Sequence, residues 1–348
     1  MIWAGLAACF FAAAAAFSGC LPQGGESPVL PPPPVQADKL VLPEGWPMPD
    51  QPQDNAFTDG RWALGKLLFF DPRLSRDASI SCATCHQPEL AFAAPEAISP
   101  GVDGLLGTRN APTLVGAAYA PYFMSEGGVP SLELQVFAPV ESHVEMDDNL
   151  AHIAEELAAD NASDYNALAL EHYGRPLDPF VIIRALATFE RSLISGNAPF
   201  DRWQRSELTD AEFGPEAEQG WVLFNDPELA CISCHSPPHF TTHGFANNGL
   251  ENPYIDAGRF LKTGNPADSG VFKIPTLRNI AQSAPYMHDG RFTTLDQVLD
   301  HYIAGGVGHP HQAAQLEGFE LNSTERQALL TFLIALSDEE FLNDSRWE

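Results

Sequence analysis

CATCH at residues 82–86 and CISCH at 231–235 account for four of the six cysteines in a chain of 348 residues. A Cys-x-x-Cys-His run supports three chemistries. A zinc site wants four ligands, commonly two paired-cysteine motifs converging on one ion. A thiol redox centre wants a thioredoxin-like βαβ context. A covalently attached haem uses every residue of the run, because both thiols bond to the macrocycle and the adjacent histidine ligates the iron. Here a histidine follows each pair directly, and no βαβ pattern surrounds either motif. The reading is therefore two c-type haems, one on Cys82, Cys85 and His86 and one on Cys231, Cys234 and His235. The other cysteines, Cys9 and Cys20, fall in an apolar N-terminal run, which leaves none for disulfides.

The far side of each iron decides the chemistry. An open sixth position allows reaction with peroxide or oxygen, whereas a filled one favours electron transfer. After His86 no methionine appears before Met124 and no histidine before His143, so the first site reads as open. The second site has Met287, His288, His301 and Tyr302 as candidates. Tyr302 shares a helical stripe with Leu295, Val298 and Leu299, and His301 points about 100° away from it. On this pattern alone the simplest role for Tyr302 is a packed core tyrosine.

The elements that must position these motifs repeat. Gly65, Phe69, Asp71 and Pro72 precede the first motif, and Gly220, Phe224, Asp226 and Pro227 precede the second, all at an offset of 155. A G-x-x-x-F-x-D-P pattern ahead of each motif predicts two related domains. Helical spacing is expected over 149–159, 178–195, 294–304 and 324–336. Asp178-Pro179 is a cap followed by proline at the first helical position, and Thr324 with Gln327 makes a capping-box pattern. No run of alternating strands stands out, and 27 glycines with 30 prolines imply long loops. The fold expected is all-α: two cytochrome c-like haem domains joined by loops, at 50–200 and 201–348.

Ahead of them, residues 1–20 read as a signal peptide of lipoprotein type, with Ser18-Gly19 before Cys20 as the acylated residue, although a positive n-region is missing. Residues 21–49 carry PPPP at 31–34 and read as an extended Pro-rich tether. Such a protein would face the periplasm, lipid-anchored through Cys20. Lys plus Arg number 18 against 46 Asp plus Glu, a net charge of -28. That balance argues against nucleic acid. It suits a basic protein partner, or simply solubility outside the cytoplasm.

The stretches LGKLLFFDPRLS, RNAPTL, FERSLISGNAPFDRW and IPTLRNIAQSAPYMHDGRFTTLDQVLDHYIAGG, spread from about Phe57 to about Leu342, complete the picture. They resemble the bacterial di-haem cytochrome c peroxidase and MauG family, and most closely its MauG-like, MbnH-type branch, which oxidises a tryptophan on a partner protein. The resemblance implies that the N-terminal haem reacts with hydrogen peroxide, as a peroxidase, and that the C-terminal haem passes electrons. It places Tyr302 as the distal ligand of the second haem. It places Gln135 and Glu145 over the first iron, the amide to hydrogen-bond peroxide and the carboxylate to move its proton. Without the resemblance, Glu145 reads as one more acidic surface residue. It also implies a Ca2+ ion between the domains, held by the Asn110 side chain and the backbone carbonyls of Ser283 and Pro285; alone, Asn110 reads as a turn residue. An electron-donor or substrate protein is the implied partner. Two departures stand out. Family members often place a tryptophan at the position of Ser125, between the haems, and MauG places one at the position of Leu229. The family's electron routes therefore do not carry over; Trp203 and Trp221 are the nearby alternatives, with core packing the simpler role for each.

Overall fold

A computed structural model of the chain describes residues 38–160 and 164–348. The signal-like run, Cys20 and the tether as far as residue 37 lie outside the described residues. Val35–Glu348 forms one compact unit.

The repeated pattern has a physical meaning in each half. Helix Asp59–Phe70 packs along helix Pro179–Glu190, and helix Pro215–Phe224 packs along helix Ser323–Ile334. At each crossing a glycine lies against a carbonyl, Gly65 on Ala185 and Gly220 on Ala328, where a Cβ would collide with the oxygen. The repeated phenylalanines, Phe69 and Phe224, anchor the two cores. The repeated aspartates cap the turn that follows: Asp71 accepts the Arg73 N–H at 2.9 Å, and Asp226 accepts the Glu228 N–H at 2.7 Å. Glycine, phenylalanine and aspartate thus set close approach, burial and exit angle ahead of each Cys-x-x-Cys-His motif.

Two large hydrophobic cores result, beside a small cluster of Phe123, Leu132 and Ala187. One runs from Leu40 to Ile194, and the other from Phe200 to Leu336. The chain end then returns to the first core, where Phe341 and Trp347 pack on Phe92 with ring centroids at 6.0 and 5.4 Å. The halves are stitched where the chain crosses between them. Asp338 Oδ2 accepts the backbone N–H groups of Gly196 and Asn197 at 3.0 and 2.8 Å, and Asn279 Oδ1 accepts the Asp338 N–H at 2.8 Å.

Most expected helices appear, with instructive differences. Asp178 caps Pro179–Glu190 by accepting the Val181 N–H. This helix stops at Glu190 rather than 195, because Ser192 Oγ donates to the Phe189 carbonyl at 2.7 Å and Asp338 takes the next backbone donors. The last long helix is capped two residues before the expected pair. Asn322 accepts from Thr324 and Glu325, and Glu325 reaches back to the Asn322 N–H. The Thr-x-x-Gln box instead caps Leu295–Ile303, through Thr294 and Gln297. Residues 38–49 are not a free spacer: Leu40 is buried, and the Asp38 and Lys39 N–H groups donate to Asp59. Among the described residues the only strands are Phe245–Ala246 and Phe272–Lys273, paired antiparallel. No helix among them is long and apolar enough to cross a membrane.

Candidate functional site

Each motif folds as a single helical turn, Cys82–Cys85 and Cys231–Cys234, with the histidine closing it. The His86 N–H donates to the Cys82 carbonyl at 2.9 Å, and the His235 N–H to the Cys231 carbonyl at 3.0 Å. The two histidines share a backbone conformation, φ -116° and -115°. Their rings are held alike. His86 Nδ1 lies 3.0 Å from the Phe92 carbonyl oxygen, and His235 Nδ1 lies 3.2 Å from that of Phe240. A carbonyl can only accept, so Nδ1 carries the proton and Nε2 presents its lone pair. The residues supplying these carbonyls, Phe92 and Phe240, both adopt left-handed φ, 57° and 50°. That conformation is costly for an aromatic residue and persists here because each ring is fully buried.

Burial lowers the pKa of both imidazoles, that of His235 to about 4, and so keeps them neutral and ready to ligate. None of the four motif cysteines is paired in a disulfide. Burial pushes Cys82, Cys85 and Cys231 up, so they stay protonated. Two cysteines beside a histidine with a bare Nε2 fit covalently attached haem at each motif. Both motifs line one cavity of about 800 Å³, which spans the two halves.

That cavity gathers nearly all the residues the sequence singled out. Gln135 and Glu145 line it, as do Tyr302, Met124, Met287 and His288. Gln135 ends the turn Leu132–Gln135, which Ser131 caps. Glu145 follows in a turn pinned by the Val102 N–H, which donates to the Glu145 carbonyl at 2.8 Å. Burial raises its carboxyl above the usual range, opposed by a hydrogen bond from Ser142. Burial likewise pushes the Tyr302 phenol up to about 12. Asn110, Ser283 and Pro285 also line the cavity, and Asn110 Nδ2 donates to the Glu96 carbonyl at 3.0 Å.

Other candidates separate from the site. His301 turns away, Nε2 2.9 Å from the Asn248 carbonyl oxygen, and His143 pairs with Asp147 at the surface. Met287 and His288 stay on the cavity wall but are engaged there, Met287 Sδ with Asn248 Nδ2 at 3.3 Å and His288 stacked on Phe272 at 4.1 Å. Trp203 stacks on Phe213 at 4.5 Å, and Trp221 packs on Phe200 at 4.8 Å; neither lines the cavity. Ser125 and Leu229 do line it.

Two features escaped the sequence reading. Glu190 ends its helix at the cavity wall with Oε2 unpartnered, and burial pushes its carboxyl up to about 8. Its position inside an apolar helical stripe was the available signal. The second is an aromatic cluster of Trp46, Tyr119 and His239. His239 stacks on Tyr119 at 4.4 Å and meets Trp46 edge-on at 4.5 Å. Trp46 lies in the segment taken for tether, and no local pattern ties it to residues so distant in sequence.

A family model described as di-haem cytochrome c peroxidase matches residues 59–209. The methylamine utilization protein MauG of Methylorubrum extorquens is 37% identical over 291 residues, covering 83% of this chain and 81% of the relative. The cytochrome c551 peroxidase of Nitrosomonas europaea is 32% identical over 274 residues, covering 77% and 76%. A crystal structure of a MauG-like protein associated with microbial copper homeostasis superposes with a TM-score of 0.83 at 28% identity, covering 88% of this chain and 97% of that one.

Proposed function

Because the chain belongs to the di-haem cytochrome c peroxidase family, on its MauG-like side, we propose that it uses hydrogen peroxide at the first motif to oxidise a protein partner by way of the second. The observation that carries this reading is an asymmetry between two otherwise matched sites. Both motifs present a neutral histidine to one cavity, which also holds an amide and a carboxylate, Gln135 and Glu145, that the family resemblance assigns to the first motif, and a phenol, Tyr302, that it assigns to the second.

When bound, the haems supply the redox chemistry. The chain supplies the rest. His86 and His235 would hold the two haems through Nε2, each imidazole fixed by its backbone carbonyl. Gln135 orients peroxide by a hydrogen bond. Glu145, once ionised, takes the proton from the inner peroxide oxygen and returns it to the outer one, so that water can leave. Tyr302 closes the second site and supports its oxidised state. The residues 50–200 and 201–348 act as the peroxidatic and electron-transfer halves, in keeping with two separate cores.

Calcium held by Asn110, Ser283 and Pro285 fixes one half against the other, where the Asn110 N–H also donates to the His288 carbonyl at 2.8 Å. The setting is periplasmic, with a lipid on Cys20 as tether. The partner is basic, complementary to a net charge of -28.

The test is electron paramagnetic resonance of the resting ferric protein, then one equivalent of hydrogen peroxide without reductant. One high-spin and one low-spin haem, with rapid two-electron oxidation, is the expected result. Tyr302→Phe should then abolish storage at the second site. Two low-spin haems that ignore peroxide until half-reduced would replace this reading with that of a peroxidase fed by a small donor.

A further inference from the structure

The route to a partner must differ from one built on tryptophans at positions 125 and 229, because those positions hold serine and leucine. Both line the cavity without contributing a redox-active ring. One aromatic cluster reaches from the cavity to the surface. Trp46, Tyr119 and His239 form a triangle of rings, with centroids 4.4 Å apart for Tyr119 and His239, 4.5 Å for Trp46 and His239, and 5.5 Å for Trp46 and Tyr119. Trp46 and His239 line the cavity. His239 is joined in sequence to Phe240, whose carbonyl holds the His235 ring. At the other end Trp46 is half-buried, while its neighbours Glu44, Gly45, Pro47 and Met48 are exposed.

We propose that Trp46 is the one-electron relay between the second haem-attachment site and the protein partner, with the surface around residues 44–48 as the partner's contact. This rests on the peroxidatic reading above.

Two features favour Trp46 over Tyr119 as the carrier, and a third decides how its proton leaves. The Tyr119 hydroxyl donates to the Pro47 carbonyl at 2.9 Å, and a carbonyl cannot take its proton on oxidation. Burial also pushes that phenol up to about 12. The Arg278 guanidinium, held by two hydrogen bonds of 2.8 Å to Asp201, lies 4.9 Å from the Trp46 ring centre. A cation at that distance disfavours an indole radical cation, so electron loss is coupled to loss of the indole N–H proton.

The step balances as follows. Trp46 gives one electron to the oxidised second site and one proton to water, leaving a neutral indolyl radical. The partner side chain then returns one electron and one proton to Trp46. Two passages deliver the two electrons and two protons that convert one hydrogen peroxide to two waters.

The experiment uses the holoprotein with both haems, treated with hydrogen peroxide and no donor. In wild type, peptide mass mapping should find added oxygen at Trp46, where the radical decays unrefilled. Trp46→Phe should keep the resting resonance spectrum and the initial peroxide response. Its oxidised state should decay about tenfold more slowly. Trp46→Tyr, which restores an oxidisable ring, should recover part of the decay rate; a purely structural role predicts no such recovery. A normal peroxide response with unmodified Trp46 and equal decay in Trp46→Phe would overturn the relay alone. No peroxide response in wild type would overturn the peroxidatic reading and the relay with it.

Discussion

Gly65 lies with its α-carbon against the carbonyl of Ala185, and the equivalent Gly220 lies in the same way against the carbonyl of Ala328. The contact sets the spacing of the helix pair behind each Cys-x-x-Cys-His motif. A methyl group at either position must push the helices apart. Gly65→Ala and Gly220→Ala should each cost about 1–3 kcal/mol, as overpacked core positions do. Denaturant unfolding of each variant measures this; an unchanged midpoint would mean that the helices separate freely.

The two motifs should load independently. Cys231→Ala with Cys234→Ala should leave one covalent haem per chain, at the first motif, and Cys82→Ala with Cys85→Ala should leave one at the second. Haem staining of denatured protein and intact mass give the count. Retention of both haems after either double substitution would contradict covalent attachment at these cysteines.

Glu145 should set the acid limb of the peroxide reaction. In the proposed reaction it acts as the carboxylate, so the rate should rise with pH as Glu145 ionises. Burial raises its pKa, which puts the midpoint above the ordinary value of about 4.3. Ser142 donates to the carboxylate and holds the midpoint down, so Ser142→Ala should move it further up. Glu145→Gln should slow the reaction by about 10²–10⁴-fold and remove this limb. Stopped-flow rates against pH decide the matter.

Glu190 should make stability fall with rising pH. Burial pushes its folded-state pKa up to about 8, from an ordinary value near 4.5. Between these values the folded chain holds a proton that the unfolded chain has released. The stabilisation is therefore fully present below the unfolded value and is lost as pH climbs through about 8. Glu190→Gln should flatten this slope. Melting temperatures of the holoprotein at pH 5 and pH 8 should differ more in wild type than in the variant.

What was legible in the sequence was local or repeated. Cys-x-x-Cys-His names its cofactor because adjacent thiols and imidazole act on one macrocycle within a single helical turn. The G-x-x-x-F-x-D-P repeat shows two equivalent supports because close approach, core anchoring and turn capping each demand one residue type. Helix Pro179–Glu190 announced its start through Asp178, but its end depended on Asp338, 148 positions further on than Glu190.

Only the tertiary structure decided which polar residues share the cavity. Gln135, Glu145 and Tyr302 carry no local mark of function; the resemblance singled them out, and packing brought them to one cavity. Trp46 could not be read ahead of the fold, and Glu190 showed only as a carboxylate set in an apolar helical stripe. A buried carboxylate is defined by neighbours that exclude water, and an aromatic relay by rings from segments as far apart as Trp46 and His239. Such properties belong to distances between side chains, and the order of residues along the chain does not contain those distances until the two cores have closed around them.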